Sequence, residues 1–468
     1  MKSSNKSGFQ DNCGIVGVWD VPEAAHITYL SLFALQHRGQ EGAGIISRDH
    51  GRFTGHRGQG LVHSIFNKEN IQVLKGERAI GHVRYSTAGG SISRNLQPLW
   101  AESSNGDIAI AHNGTLTNSA ELRKRLEAEG SVFQSYVDTE VILHLIAKTH
   151  GSPRERLQKA LEQVKGAYSL LIMIRDNDHT RMFAVKDPYG FRPLALGRLG
   201  KGWVVASESC AFDLVDARYE RELNAGEVLE FSRNDYESWQ LPVSVPRKAA
   251  CLFEWIYFSR PDSLVFSKSV YEMRKKMGEA LAEIDKHEGL QADMVIGVPD
   301  SGIAAAIGYS HQSGLPFELG LIRNHYIGRS FIEPHQSVRD FTVKIKQNPL
   351  PENLKGKRVV VIDDSIVRGT TSKKINQLLR EAGAKEIHMR IAAPATISPC
   401  YYGIDTPQKS DLIAARMSEK EIGKYVAADS LRYLPIKKIY EKLKVEERMC
   451  DACFTEDYPV PPESLGSL

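Results

Sequence analysis

Residues 358–371, RVVVIDDSIVRGTT, constrain the fold more than any other part of the sequence. A run of aliphatic residues predicts a short buried strand, which ends at two adjacent carboxylates. Hydroxyl side chains and Gly369 then lead into a helix that we expect to begin near Thr370. Residues 294–299 form a second apolar run, followed by a polar, glycine-containing turn and an alanine-rich helical stretch. This repetition of strand, turn and helix predicts an α/β fold, with a parallel sheet covered by helices.

The loop after the first of these strands combines two kinds of binding group. Ribose hydroxyls and a hydrated divalent ion need hard anionic oxygens, which Asp363 and Asp364 supply. A phosphate needs backbone N–H groups at a helix start with hydroxyls beside them, and Thr370 stands at that place. Residues 297–302, GVPDSG, are small enough for backbone amides to approach a second phosphate group. Two exposed acids and a capping threonine would explain any pair of these residues, but not the whole run.

These two segments resemble the ribose phosphate loop and the pyrophosphate loop of type I phosphoribosyltransferases. The resemblance implies that Asp363 and Asp364 hold the ribose and, with Ser301, a Mg²⁺ ion carried by phosphoribosyl pyrophosphate (PRPP). It implies that Thr370 and Thr371 cradle the 5-phosphate. The full PRPP-binding set that it implies is Asp300, Ser301, Gly302, Arg329, Asp363, Asp364, Ser365, Arg368, Gly369, Thr370 and Thr371.

Residues 324–332, NHYIGRSFI, lie between the two loops and are aromatic and basic. They suit a lid that closes over the reacting sugar, because a ribosyl cation-like transition state must be shielded from water. Composition alone favours an ordinary surface loop.

The first half of the chain has a different organisation. Short strands are predicted at 108–111, 170–174 and 204–206, and helices at 120–128 and 139–150, which together predict an α+β layer structure. Residues 241–247, LPVSVPR, have two prolines and no helical period, so they predict an extended connector. We therefore place one domain at residues 13–242 and a second at residues 243–468. The chain is expected to end in a loose tail after Tyr458.

Several polar, glycine-rich clusters in the first half adjoin apolar, strand-like runs. They are QHRGQE at 36–41, GHVRYSTAG at 81–89 and HNG at 112–114. Cys13 begins a further such run, CGIVG, and taken alone it is equally compatible with an inert buried cysteine. Together the four segments resemble the N-terminal-nucleophile (Ntn) glutaminase half of glutamine amidotransferases. That resemblance implies an αββα sandwich.

In such a glutaminase the cysteine thiol attacks the side-chain amide of glutamine, and the α-amine of the same cysteine relays the proton. Only a terminal cysteine has that amine, so residues 1–12 are expected to be a propeptide. The resemblance makes Cys13 the nucleophile, with Asn113 and the Gly114 amide as the oxyanion hole. It implies that Arg84 pairs with the glutamine α-carboxylate and Asp138 with its α-ammonium, although singly such residues are more often surface ion-pair members. The implied glutamine-binding set is Arg38, Arg84, Thr87 and Asp138.

The chain has six cysteines, too few for a disulfide framework in a protein of 468 residues. Cys450 and Cys453 have the two-residue gap of a chelating pair, which Cys251 and Cys400 could complete. Spacing does not separate zinc from a [4Fe–4S] cluster, and structural zinc is commoner. Similarity to the cluster-bearing branch of the amidotransferases implies a [4Fe–4S] cluster on these cysteines, with a structural, oxygen-sensitive role. Cys210 has no assignment.

The composition of the chain limits the classes of partner molecule that it is expected to bind. The net charge is only +3, which gives no broad electrostatic case for nucleic acid or a membrane surface. No run of apolar residues is long enough for a membrane span, and the first residues do not form a secretion signal. A cytoplasmic enzyme is the expectation.

A glutaminase half and a phosphoribosyltransferase half in one chain resemble the glutamine phosphoribosylpyrophosphate amidotransferase family. The resemblance implies conversion of glutamine, PRPP and water to phosphoribosylamine, glutamate and pyrophosphate at the start of purine synthesis. It also implies an apolar ammonia passage, inhibition by purine nucleotides and a homotetramer. Glucosamine-6-phosphate synthase would share the Cys13 half but lack the loop at Asp363. A non-catalytic purine-responsive regulator would be expected to carry a DNA-binding module, and none is evident.

Overall fold

The computed structural model describes residues 13–49, 52–85, 93–103, 105–176, 179–232, 235–324, 347–445 and 447–461. The strands of the first half are β1 (Gly14–Trp19), β2 (Gly42–Asp49), β3 (Arg52–Gln59), β4 (Arg78–Arg84), β5 (Leu99–Ala101), β6 (Ile108–Leu116), β7 (Gly166–Asp176), β8 (His179–Lys186), β9 (Ala195–Leu199), β10 (Gly202–Ala206), β11 (Arg218–Glu222), β12 (Glu227–Ser232) and β13 (Asp235–Gln240). Its helices are α1 (Ala24–Ala34), α2 (Val62–Ile65), α3 (Lys68–Gln72), α4 (Ser119–Ala128), α5 (Thr139–Lys148), α6 (Pro153–Leu161) and α7 (Cys210–Asp213).

The second half has strands β14 (Leu264–Val265), β15 (Lys268–Ser269), β16 (Met294–Gly297), β17 (Leu321–Arg323), β18 (Gln347–Pro349), β19 (Arg358–Asp363), β20 (Glu386–Ile391) and β21 (Ser430–Tyr433). Its helices are α8 (Val270–Glu288), α9 (Ile303–Ser313), α10 (Pro351–Leu354), α11 (Thr370–Glu381), α12 (Glu419–Tyr425), α13 (Ile436–Leu443) and α14 (Ala452–Thr455). A π-helical turn, Glu254–Phe258, lies between the halves.

Two antiparallel sheets face each other in the first half. One has the order β11-β9-β10-β1-β4-β2-β3 and the other β13-β12-β8-β7-β6-β5. Alternation along β1 divides its side chains between two cores: Ile15 and Trp19 pack between the sheets, whereas Val16 and Val18 pack on the helical side with α1. Helices α4 to α6 cover the other sheet. The expected αββα sandwich is confirmed.

The second half is built on a four-stranded parallel sheet of order β16-β19-β20-β21. In β19, Val360 and Ile362 pack on one face with α8 and α9, and Val359 and Val361 pack on the other with α11. The aliphatic run is buried because helices cover both faces. This confirms the predicted α/β arrangement.

Two details differ from the sequence-based expectations. Strand β6 continues to Leu116, well beyond the predicted end at residue 111, because every residue of that extension pairs with β7. The chain end is not loose as far as it is described: Val460 is buried, and its N–H donates to the hydroxyl of Tyr402 at 3.0 Å. Residues 241–247 contain no helix or strand, as expected of a connector. In the described ranges, no helix combines the length and apolarity that crossing a bilayer requires.

Candidate active site

Cys13 directly precedes β1 in the middle of its sheet and is 9% exposed. The Nε of Arg38 donates to the Cys13 carbonyl at 3.2 Å, and the thiol lies 3.7 Å from the Tyr85 carbonyl oxygen. Burial raises the pKa of the thiol above its ordinary value, against the opposing charge of Arg84. The thiol is therefore protonated at neutral pH, and it needs a base to become a nucleophile.

Asn113 and Gly114 lie on β6, opposite Ser169 and Tyr168 of β7. Asn113 is fully buried, and among the residues described here neither its side-chain oxygen nor its nitrogen has a hydrogen-bond partner. Gly114 has φ +148°, and a Cβ atom there would lie 2.1 Å from the Ala167 carbonyl oxygen. A buried amide without a partner is costly unless a ligand completes its bonding, which fits the expected oxyanion hole.

Asp138 immediately precedes α5 and points toward the same region. Its Oδ2 accepts from the Leu116 N–H at 2.8 Å, and its Oδ1 lies 3.5 Å from His112 Nδ1. Burial acts to raise the pKa of Asp138, but His112 and the backbone donors hold it below its ordinary value. Asp138 raises and Arg84 lowers the pKa of the Cys13 thiol, so both charges lie near the sulfur. Asp138 and Arg84 thus place a negative and a positive charge near the thiol. These charges are complementary to the α-ammonium and α-carboxylate groups of an amino acid. Thr87 lies outside the described residues.

Arg38 supports the strand that carries Cys13. Its guanidinium donates to Glu208 at 2.5 Å and to both carboxylate oxygens of Glu254, at 3.0 and 2.9 Å. Arg192 also pairs with Glu254, at 2.8 Å. Burial alone would raise the pKa of Glu254, but Arg192 and Arg38 lower it to about 2. Sequence analysis did not identify Glu208, Glu254 or Arg192 as site residues. The only available signal was Glu254, a carboxylate inside the aromatic run FEWIYF at residues 253–258.

A cavity of ≈ 220 Å³ lies where β16 and β19 end side by side. Eight of the predicted PRPP-binding residues line it: Ser301, Asp363, Asp364, Ser365, Arg368, Gly369, Thr370 and Thr371. Tyr257 and Gln347 also line it and were missed by sequence analysis, since they lie far from both loops in the chain.

Three predicted PRPP-binding residues do not line this cavity. Asp300 is exposed and pairs with Arg323. Gly302 lies behind its loop, where a Cβ atom would come 2.2 Å from the Ile362 carbonyl oxygen, so it sets the packing of the loop on β19. Arg329 and residues 325–332 of the proposed lid lie outside the described residues.

Two adjacent carboxyl groups are buried at the end of β19, where they repel each other when both are ionised. Asp363 and Asp364 are 6% and 7% exposed. Burial and the neighbouring charge of Asp364 raise the pKa of Asp363 well above its ordinary value. Gly369 has φ +74° at the start of α11, and Gly369, Thr370 and Thr371 line the cavity where that helix begins. A cation and a phosphate could both be held here, the cation relieving the repulsion between the carboxylates.

Four of the cysteines gather near the junction of the two halves. Cys251 and Cys450 pair through their backbones, and the Ile397 and Ser398 N–H groups, just before Cys400, donate to the Cys453 carbonyl at 3.0 and 3.1 Å. Burial raises the pKa of the Cys453 thiol, and the sulfurs of Cys251, Cys400 and Cys450 raise it further. Within the described ranges, however, no three His, Cys, Asp or Glu side chains form a set that could hold a metal ion. Cys210 lies apart from them, with its sulfur 3.8 Å from a Glu208 oxygen.

Comparison with known proteins supports both halves. A glutamine amidotransferase domain family matches residues 82–213, and a phosphoribosyl transferase domain family matches residues 268–409. Amidophosphoribosyltransferase 1 of Arabidopsis thaliana, a chloroplastic protein, is 51% identical over 461 residues, which are 97% of this chain and 80% of the relative. The chain belongs to the amidophosphoribosyltransferase family.

The amidophosphoribosyltransferase of Bacillus subtilis is 45% identical over 459 residues, which are 97% of this chain and 95% of the relative. A structure of glutamine PRPP amidotransferase from B. subtilis, complexed with ADP and GMP, has a TM-score of 0.89 and 44% identity, covering 96% of this chain and 98% of that chain. The amidophosphoribosyltransferase fold thus extends over nearly the whole chain, with the glutaminase-like sandwich ahead of the phosphoribosyltransferase domain.

Proposed function

We propose that this chain hydrolyses glutamine at Cys13 and delivers the ammonia to the anomeric carbon of PRPP. Glutamine, water and PRPP become glutamate, phosphoribosylamine and pyrophosphate, the first committed step of purine nucleotide synthesis. The observation that carries the proposal is the presence of two complementary sites in one chain. One has a buried thiol near Arg84 and Asp138, and the strand that precedes Asp138 carries the Asn113 amide, which has no hydrogen-bond partner among the described residues. The other has paired carboxylates and hydroxyls at the start of a helix.

In the glutaminase half, Arg84 and Asp138 are proposed to bind the α-carboxylate and α-ammonium of glutamine. The Cys13 thiol then attacks the side-chain amide and passes its proton to its own α-amine, which removal of residues 1–12 would free. The Asn113 side chain and the Gly114 N–H receive the oxyanion. Arg38 keeps β1 in place through the Cys13 carbonyl, and Thr87 completes the proposed pocket.

In the second half, Asp363 and Asp364 are proposed to bind the ribose hydroxyls and, with Ser301, a Mg²⁺ ion. Mg²⁺ prefers oxygen ligands and usually keeps waters and substrate phosphates, so a few protein oxygens suffice. When bound, the ion would neutralise negative charge on the departing pyrophosphate. Thr370, Thr371 and the first N–H groups of α11 receive the 5-phosphate. Residues 324–332, with Arg329, are proposed as the lid, and Asp300 and Gly302 as parts of the pyrophosphate loop.

The segment Glu254–Phe258 provides the physical link between the two sites. Glu254 at one end binds Arg38, which holds the Cys13 carbonyl, and Tyr257 near the other end lines the carboxylate cavity. Arg274 of α8 donates to the Trp255 and Tyr257 carbonyls and so fixes the segment to the second domain. An apolar ammonia passage between the domains is proposed to run beside this segment.

The wider organisation is proposed as follows. Residues 13–242 form the glutaminase domain and residues 243–468 the phosphoribosyltransferase domain, joined at the connector. Purine nucleotides are proposed as inhibitors because the B. subtilis relative was obtained in complex with ADP and GMP. A homotetramer is proposed by family resemblance. None of the six cysteines, all of which the structure describes, forms a disulfide bond, which is usual for proteins of a reducing compartment. A cytoplasmic location is proposed.

A balance of products tests the proposed reaction. Purified chain supplied with glutamine, PRPP and Mg²⁺ should release glutamate and pyrophosphate in equal amounts, and ammonia should replace glutamine as nitrogen donor. Glutamate release without pyrophosphate would contradict the proposal. Activity with fructose 6-phosphate in place of PRPP would favour a glucosamine-6-phosphate synthase.

A [4Fe–4S] cluster on Cys251, Cys400, Cys450 and Cys453 is part of the proposal. A single zinc ion, with Zn–S bonds of about 2.3 Å, needs its sulfurs in a compact set. The sulfurs of Cys251, Cys400 and Cys450 lie near enough to Cys453 to raise the pKa of its thiol, and the choice of a cluster over zinc rests on the family resemblance. When bound, the cluster would cross-link the chain's last helix to the start of the second domain.

Changing Cys450 to serine should remove this group. We expect iron to fall from about four atoms per chain to below one, the brown colour to disappear and the melting temperature to drop. Cys210→Ser, another buried cysteine, should keep the wild-type iron content. A colourless wild-type protein with stoichiometric zinc, or a Cys450→Ser protein that retains its iron, would contradict the proposal.

A further inference from the structure

Gly403 in the second half lies directly against Gly114 in the first. A Cβ atom added at Gly403 would come 2.9 Å from the Gly114 Cα and 3.0 Å from its carbonyl carbon. The loop can approach Gly114 this closely because Gly403 has no side chain. Gly403 has φ +106° and Gly114 φ +148°, so both adopt conformations that favour glycine.

Gly114 is enclosed on its other side by the sheet. A Cβ atom at Gly114 would lie 2.1 Å from the Ala167 carbonyl oxygen of β7 and 3.0 Å from His112 Nε2. The peptide that includes Gly114 is therefore held between β7 and the loop that carries Gly403. Any displacement of that loop changes the space available to the Cα atom and carbonyl group of Gly114.

The loop is anchored at the residue before Gly403. Tyr402 is 2% exposed and stacks on Phe191 with a ring-centroid distance of 4.3 Å. Its hydroxyl donates to the Val460 carbonyl at 2.8 Å. Ala167, Phe191, Tyr402, Cys450 and Val460 belong to one apolar cluster, which is continuous from the glutaminase sheet to the cysteines.

The same loop carries Cys400. The Tyr402 N–H donates to the Cys400 sulfur at 3.3 Å, and the Cys400 N–H donates to Thr406 Oγ1 at 2.8 Å. Residues 400–406 thus form a short, internally bonded loop with a thiol at one end and the Gly114 contact in its middle.

We propose that Gly403 is a positioning residue for the glutaminase: its backbone packs against the Cα atom and carbonyl group of Gly114 and so fixes the residue whose N–H is proposed to donate to the oxyanion. This inference rests on the proposed function and adds a part to it. Gly403 touches neither substrate, and it acts only through Gly114. Since the loop is tied to Cys400, it also connects the cysteine cluster to Gly114.

Replacing Gly403 with alanine tests the contact. Gly403→Ala should lower kcat for glutamine hydrolysis about 10- to 100-fold, because displaced oxyanion donors stabilise the transition state less. The KM for glutamine should change much less, since Arg84 and Asp138 are untouched. Ammonia-dependent phosphoribosylamine formation should stay at the wild-type rate.

Gly130→Ala is the matched control. Gly130 has φ +87°, so alanine meets comparable backbone strain, but a Cβ atom there has nothing within 4 Å. We expect both activities of Gly130→Ala to match the wild type. Equal glutaminase rates in the two variants would overturn the inference, and so would a Gly403→Ala protein that loses both activities equally.

Hydrogen exchange gives a readout independent of activity. Amides of residues 111–116 should exchange faster in Gly403→Ala than in Gly130→Ala, and unchanged exchange there would overturn the inference. If Gly403→Ala fails to fold, Tyr402→Phe keeps the ring stacking and removes both hydrogen bonds between the Tyr402 hydroxyl and Val460. It should shift exchange and kcat the same way to a smaller extent. If the proposed function itself is wrong, the wild-type protein will release no glutamate from glutamine. The comparison of hydrogen exchange between Gly403→Ala and Gly130→Ala would still test the contact between Gly403 and Gly114.

Discussion

Replacing Cys13 with alanine abolishes glutamine-dependent synthesis of phosphoribosylamine, by at least ~10³-fold, and leaves ammonia-dependent synthesis intact. The Cys13 thiol is the nucleophile proposed for the glutaminase, and alanine in its place cannot form the covalent intermediate with the glutamine amide. The second site lies in a separate cavity lined by its own carboxylates, so it needs only a supply of free ammonia. Steady-state rates with each nitrogen donor, at saturating PRPP, give the comparison.

The matched control for this substitution is Cys210→Ala. Cys210 is likewise a buried cysteine of the first domain, but its sulfur faces Glu208 and not the region of Arg84 and Asp138. Glutamine-dependent activity should survive in Cys210→Ala. If Cys13→Ala lost ammonia-dependent activity as well, the two sites would not be separable and the assignment of the nucleophile would be wrong.

Replacing Asp364 with asparagine should reduce both glutamine-dependent and ammonia-dependent synthesis, by at least ~10²-fold. The substitution keeps the shape of the side chain and removes the charge proposed to hold the ribose and Mg²⁺. Pyrophosphate release with each nitrogen donor, across a range of Mg²⁺ concentrations, measures the loss. Loss of glutamine-dependent activity alone would contradict the assignment of this cavity.

The same substitution should raise the melting temperature of the ligand-free protein. Burial and the Asp364 charge raise the pKa of Asp363, so the folded state binds a proton more tightly than the unfolded state. Stability is therefore lost as the pH rises from the ordinary aspartate range through that raised pKa, and Asp364→Asn should weaken this loss.

Asp293→Asn is the control, because Asp293 pairs with Arg358 at the opposite end of β19. That variant should keep the activity and lose stability.

The sequence was sufficient to predict the architecture because its local hydrophobic patterns agree with the layers of sheet and helix in the structure. The aliphatic run of β19 is buried on both faces by helices, and the alternation in β1 separates two cores, as such patterns predict. The loops at the ends of β16 and β19 also meet as parallel neighbours must. These features depend on residues near one another in the chain or on a general rule of sheet geometry.

Features that depend on distant pairs could not be predicted in this way. Arg38 binds Glu208 and Glu254, which lie 170 and 216 residues away, and nothing local in the chain pairs them. Asp300 lies in the predicted loop but faces Arg323, because the loop turns between it and Ser301. The buried position of Val460 likewise depends on Tyr402, which is 58 residues away.

The docking of Val460 and Tyr402 against Phe191 has a consequence for biosynthesis. A ribosome releases the glutaminase half of the chain long before the residues that complete the apolar cluster around Ala167. Until the chain has been translated past residue 403, Gly114 lacks its neighbour from the second half. On the proposed roles of Gly403 and Gly114, we therefore expect glutamine hydrolysis to begin only after the second half of the chain has been synthesised.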